Sequence, residues 1–365
     1  MNSQILIEEL SQIDYKALLS WVPCITLFVA NRMHDRHSYK LVKEAKPYKI
    51  SKVKLPPEIV SKQNIIDEEK LQATILKDKI KEFAIVITNN FDDTNLRYFY
   101  NNINKLKTKY MRPIKGKNDY TTVGIYIGFI NHLKVVKSDI SNSTIYHELF
   151  HMTSACYNAG VIFSGFSQSN FHILSKIGNG LNEGYTELMT ERYFKVPEEE
   201  KIYDFEVSIA SHLDKIIGKD KMESMYLNAD LYGLIQELKQ YETEDNVMQF
   251  IANLDAYTYR AKLGNLNKKV NKETLENHIR NIHKFLCICY LKKIRKQIQN
   301  GQISKSNFDS LVKDFVYGLH FYLVSGNVIL EDLFSIDMLH ETMKDVFGDI
   351  VQIEDNRIDK DIMRK

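Results

Sequence analysis

The spacing of apolar and polar positions changes character at about residue 195. Within 3–20, Ile5, Leu6, Leu10, Ile13 and Leu18 recur at helical intervals among acids, and the short apolar run 25–30 predicts a buried strand. Residues 32–61 are Lys-rich and contain Pro47, Pro56 and Pro57, the composition of an extended excursion with a solvated basic surface. Leu71, Ile75 and Ile80 predict a surface helix over 67–83, followed by a short strand over 83–88 (FAIVIT). Asp92 or Asp93 is placed to cap a helix carrying Leu96, Phe99, Tyr100, Ile103 and Leu106. The segment 121–130 (TTVGIYIGFI) is the best strand in the chain, interrupted by Gly124 and Gly128, and Val135-Val136 is its expected hairpin partner. Gly and Ser bracket aromatic residues over 160–175, which suggests a hairpin or loop walling a side-chain pocket.

Past Phe194, Pro197 and the acids Glu198, Glu199 and Glu200 break the pattern, and only helical periodicity follows: roughly 201–217, 220–240, 245–263, 271–299, 304–324 and 328–347. The expected fold class is α+β, with a mixed strand and helix part over 1–195 and a helical domain over 196–365. A chain of 365 residues exceeds what one compact core usually serves, which favours two parts.

Composition narrows the function classes. Hydrophobic content of 44% with 26% charge is that of an ordinary soluble protein. Net charge is +2 with the cations spread out, so electrostatics make no case for nucleic acid. The apolar stretch 18–30 contains Pro23 and is too short to span a bilayer, so no membrane is expected as a partner. Four cysteines without a CxxC pair, and an acidic start where a signal peptide is basic, fit a reduced cytoplasmic chain; non-classical export stays open. Oligomeric state is not legible.

Chemistry concentrates in two short stretches, HELFH (147–151) and NEGYTE (182–187). In a helix, residues four apart share a face, so His147 and His151 can aim ring nitrogens at one metal ion. Glu148 projects beside them, close enough to take a proton from a metal-activated water without occupying a coordination position. A third histidine in the metzincin manner would fall six residues after His151, with a glycine midway; those positions hold Tyr157 and Ser154. The third ligand is therefore expected from a second helix, where Glu183 and Glu187 lie four apart on one face. Glu183 is the candidate ligand and Glu187 the acceptor of a histidine's outer N–H, although spacing alone permits the reverse.

The pair of motifs resembles the gluzincin metallopeptidases, in which HExxH is followed by NExxxE or NExxxD. The resemblance implies a zincin-like first half, a twisted sheet over metal-binding helices, with the active-site cleft running between it and a helical second part. It implies one zinc ion held by His147, His151 and Glu183, a general base at Glu148 and an orienting carboxylate at Glu187, with Asn182 among the supporting residues. It further implies a peptide or protein substrate, aligned on an edge strand that we expect in 121–136. An oxyanion donor is needed as well, and Tyr185, Tyr193, Tyr203, His212 and Tyr232 are equal candidates by spacing, with His172 a weaker one. The GxMEN signature of aminopeptidases is absent, which tilts the expectation toward an endopeptidase. The runner-up is a non-catalytic zincin-like scaffold that grips a partner with its helical half; the intact Glu148 speaks against it.

Overall fold

The computed structural model describes residues 75–347, apart from 116–120, 139, 171–174, 202, 265–271, 318, 320–322, 326–327 and 331–335. The expected helix over 3–20, strand over 25–30 and extended stretch 32–61 lie outside the described residues, as does His172.

The first described element is a helix, α1 (Lys77–Asn90), and it overturns the strand expected at FAIVIT. Ile80, Phe83, Ala84 and Ile87 form a buried stripe, while Ile85 faces solvent. A one-sided burial at intervals of three and four is satisfied only by a helix, and that packing outweighs the strand preference of Ile85, Val86, Ile87 and Thr88. Phe83 fixes the register by stacking on Phe194 and meeting Phe150 edge-on. Then comes α2 (Arg97–Ile103), and after it β1 (Lys107–Met111), β2 (Ile114–Lys115), β3 (Thr121–Thr122), β4 (Gly124–Ile127) and β5 (His132–Val136).

The expected 121–130 strand is thus split. Its head pairs with β2, its centre is β4, and its last three residues, Gly128–Ile130, form a 3-10 turn. The hairpin with Val135 is present, Gly124 opposite Val135, and it closes on Asn131 in the left-handed region. The sheet order is β1-β5-β4, with β1 parallel and β4 antiparallel to β5, so β4 is an edge.

Helix α3 (Asn142–Ser154) carries HELFH. The Ser141 side chain caps it by accepting the Thr144 N–H at 3.1 Å, satisfying a donor that a helix start leaves unpaired. Its buried face, Ile145, Leu149, Phe150 and Met152, seats it in the core. Four short antiparallel strands follow in sequence order, β6 (Cys156–Asn158), β7 (Val161–Ser164), β8 (Ser167–Asn170) and β9 (Ser175–Ile177). They deliver the chain to α4 (Asn179–Tyr193), which carries NEGYTE.

The helices beyond are α5 (Asp204–Ile217), α6 (Lys219–Leu227), α7 (Leu231–Leu238), α8 (Glu244–Gly264), α9 (Lys272–Gln299) and α10 (Phe308–Tyr317). A small hairpin, β10 (Leu323–Ser325) and β11 (Val328–Leu330), precedes α11 (Ile336–Phe347). Three expected helices are therefore corrected. The 220–240 segment breaks at Ala229, whose φ is +54°, with Asp230 capping α7 through the Gly233 N–H; and the hairpin takes the end of the fifth block, 304–324, and the start of the sixth, 328–347. The chain is mixed α/β and mainly helical, with small sheets. One buried apolar cluster runs from Ile80 to Phe347 without a break at residue 195. No helix among the described residues is long and apolar enough to cross a membrane.

Candidate metal centre

The position of α4 is set from a distance. Asp255, fully buried on α8, accepts the N–H groups of Gly178 and Gly180 at 2.8 Å each, tying down the start of the helix. Gly184 is required where α5 crosses, because a Cβ there would lie 2.4 Å from the Glu206 carbonyl oxygen. With α3 and α4 packed together, His147, His151 and Glu183 converge. The two Nε2 atoms are 3.2 Å apart, and Glu183 Oε2 lies 3.4 Å from that of His147 and 3.7 Å from that of His151. Ligand atoms around a tetrahedral zinc with bonds of ~2.0–2.1 Å are separated by ~3.3–3.4 Å, so this triangle fits such an ion and leaves one side open. Two imidazoles and a carboxylate are also donors of the right type.

The outer nitrogen of His147 is only 2.6 Å from Glu187 Oε2, and both side chains are buried. That contact fixes the tautomer in which Nδ1–H donates to Glu187 and Nε2 turns its lone pair toward Glu183 and His151. Burial alone lowers the His147 pKa, but the Glu183 and Glu187 carboxylates, joined by the charge of Glu148, push it up to about 10. Without an ion, Nε2 therefore carries a proton facing Glu183, which a bound cation would displace.

His151 is supported differently. Its Nδ1 lies 3.2 Å from Asn182 Nδ2 and 3.4 Å from Thr186 Oγ1. The Asn182 amide is oriented by its Oδ1, which accepts the Phe166 N–H, so it turns a donor toward the ring. Thr186 gives its own proton to the Asn182 carbonyl at 2.6 Å and accepts from the Tyr226 hydroxyl at 2.6 Å. A second Thr186 lone pair also faces the ring, so His151 Nδ1 meets an amide donor and a hydroxyl oxygen, both neutral, and which of them it engages follows its tautomer.

Glu148 stands outside the triangle. Its Oε2 accepts the backbone N–H of Tyr126 on edge strand β4 at 2.6 Å. The approach of strand to helix depends on Gly124, where a Cβ would meet Thr144 Cγ2 at 2.7 Å and Glu148 Cγ at 3.2 Å. These groups face a cavity of about 540 Å³ whose wall includes Gly124, Tyr126, Glu148, Asn179, Glu200 and Tyr203.

Of the oxyanion-donor candidates among the described residues, the cavity wall holds Tyr203 alone. It adopts φ +65° and stacks on His147 with centroids 5.8 Å apart at 17°. Tyr185 is buried elsewhere, donating to Asp214 at 3.0 Å, and Tyr193 donates to Glu223. His212 sits between the carbonyls of Ser208 and Phe315, and Tyr232 is exposed on α7. Sequence reasoning missed Thr186, Tyr226, Asp255 and the Tyr126 N–H. Thr186 had a signal, being four residues from Asn182 on the same face of the motif helix; the others arrive from distant segments with no motif around them. No protein-family model, curated protein or solved structure matches this chain.

Proposed function

We propose that the chain is a zinc-dependent metallopeptidase of the gluzincin kind, hydrolysing peptide bonds with Glu148 as general base. The observation that carries this reading is the division of three donors from a fourth carboxylate: His147, His151 and Glu183 form the triangle, while Glu148 is held beside it by a backbone N–H. A purely structural site has no use for that fourth group. Zinc, when bound there, supplies a Lewis acid that lowers the pKa of its water and polarises a carbonyl.

The protein's own groups do the rest. The carbonyl of Val123 accepts from Val136, so by strand alternation Gly124 and Tyr126 present their N–H and C=O groups away from β5; the Tyr126 N–H is engaged by Glu148, and the Gly124 N–H and the two carbonyls face the edge. A substrate backbone added to that edge runs extended past Glu148. Glu148 accepts the proton of the attacking water and returns it to the leaving amine, as general acid–base catalysis requires. Tyr203, in the cavity wall with its ring stacked on His147, is the side chain assigned to the developing oxyanion.

The test compares the native chain with Glu148→Gln on a diverse peptide library, with zinc measured in both. Near-stoichiometric zinc in both proteins and a loss of about 10²–10⁴ in turnover for the variant are expected. Equal turnover by the two, or a native chain that takes up no zinc, sinks the proposal.

A further inference from the structure

A second cavity, about 470 Å³, begins where the first one ends. Gly128, the first residue of the 3-10 turn after β4, lines both. Past it the 3-10 turn and β6 expose Phe129, Ile130 and Tyr157 at 48%, 41% and 58%; these are three of the six large hydrophobic side chains that the described residues leave exposed. Such clustering marks a recognition surface rather than scattered apolar atoms. The groove is tied to α3 by side-chain hydrogen bonds. Asn102 donates from its amide to the carbonyls of Met152 and Ala155 at the end of α3, and Asn131, holding the turn, donates to the Asn102 carbonyl and accepts from the Tyr126 hydroxyl.

Its charge has one sign. Lys105 and Lys107 line the groove, and no acid lines it among the described residues. Lys107 and Lys109 on β1 stand opposite His132 and Lys134 on β5, so the basic strip continues across the sheet. Burial and then the charges of Lys107, Lys109 and Lys134 lower the His132 pKa, as expected where no carboxylate offsets them. None of these three lysines makes an ion pair among the described residues.

We infer that this groove is an extended substrate-binding site that selects an acidic polypeptide segment carrying an apolar or aromatic anchor. The anchor fills the space between Phe129, Ile130 and Tyr157, and the neighbouring acids meet Lys105 and Lys107. The inference rests on the peptidase reading for its purpose, and on the shared Gly128 for its connection to the cut site. From Tyr126, whose N–H binds Glu148, to Ile130 the chain advances roughly 10 Å, which an extended peptide covers in about three residues. Recognition therefore falls about three to four residues from the scissile bond, and short peptides miss it.

Direct binding to the Glu148→Gln full-length protein, loaded with zinc, keeps the test apart from turnover. The probes are fluorescein-labelled peptides of about ten residues with a central Leu-Ala in a Gly/Ser background. One carries Phe-Glu-Glu about three residues before or after the centre, one carries Phe-Lys-Lys there, and one carries neither. Anisotropy should show the acidic probe binding about tenfold tighter than the other two. Lys105→Glu with Lys107→Glu should reverse the order of the acidic and basic probes, and Phe129→Ser should weaken the acidic probe without altering the plain one. These side chains are exposed, so the variants keep the fold. Equal binding of all three probes, or an acidic preference that survives the double charge reversal, overturns the inference. So does an oligonucleotide or an anionic phosphatidylserine vesicle that outcompetes the acidic probe for the same lysines. Turnover of the plain peptide by the native enzyme without any acidic preference defeats the groove and leaves the peptidase standing; acidic preference without turnover of any peptide does the opposite.

Discussion

His147 and His151 stand one turn apart on the same helix, yet their outer nitrogens meet different chemistry. Behind His147 lies a buried carboxylate at 2.6 Å; behind His151 lie an amide nitrogen at 3.2 Å and a hydroxyl at 3.4 Å. A charge-assisted bond is roughly twice as strong as a neutral one and raises the basicity of the ring it holds, whereas a hydroxyl mainly orients. The affinity of the centre for a cation should therefore lean on the His147 side, and the aim of the second imidazole on a neutral Thr186–Tyr226 chain. Both supports ride on α4, so the asymmetry is a property of one helix face, and single substitutions can separate its halves.

The largest expected effect is at Glu187. Glu187→Gln keeps an acceptor of the same shape for His147 Nδ1–H and removes the charge, and zinc affinity should fall about 10–100-fold in competition with a chromogenic chelator. Turnover at saturating zinc should fall much less, because Glu148 and the edge strand are untouched. Unchanged affinity would show that the carboxylate only fills space.

Next comes Asp255, which fixes the start of α4 and so acts on both halves together. Asp255→Asn keeps one acceptor but turns an amide donor on the second backbone N–H, and should cost about 1–2 kcal/mol in chemical denaturation of the zinc-free chain. This residue also predicts a pH signature. Burial raises its pKa to about 6, more than the backbone N–H groups lower it, so the fold disfavours the charged form. The stability that native Asp255 supplies over Asn is then greatest below about pH 4 and declines as pH rises through about 6. A stability difference between the two proteins that grows over that interval contradicts the burial argument.

The parts of the molecule that could be read from sequence are those where helix geometry does the positioning. His147, Glu148 and His151, and then Glu183 and Glu187, lie within single turns, so their relative placement follows from the 3.6-residue repeat once the segments are helices. What joins the two turns was not legible. Tyr203 lines the cavity from a left-handed backbone position of its own, and Asp255 and Tyr226 come from segments with ordinary core patterns. The same limit explains the errors. In α1 the β-branched run is real, but Ile80, Phe83, Ala84 and Ile87 also make a helical stripe, and packing against Phe150 and Phe194 decides between them. The break at Ala229 has neither Gly nor Pro to announce it.

The smallest effect, and the finest probe of the asymmetry, is at Thr186. Thr186→Val preserves volume and removes the hydroxyl, so the Tyr226 O–H loses this acceptor and His151 Nδ1 loses the oxygen beside it. Zinc affinity should fall only a few-fold, well short of the Glu187 variant, while stability drops by about 1 kcal/mol from the lost Thr186–Tyr226 bond. Tyr226→Phe in the Thr186→Val background should restore much of that stability, since both partners of the bond are then apolar, and should leave zinc affinity where the single variant put it. The double-mutant cycle thus assigns the hydroxyl chain to folding and ring orientation. A Thr186→Val loss as large as that of Glu187→Gln would mean that the two imidazoles are supported equally, and that the short buried carboxylate contact carries no special weight in holding the metal.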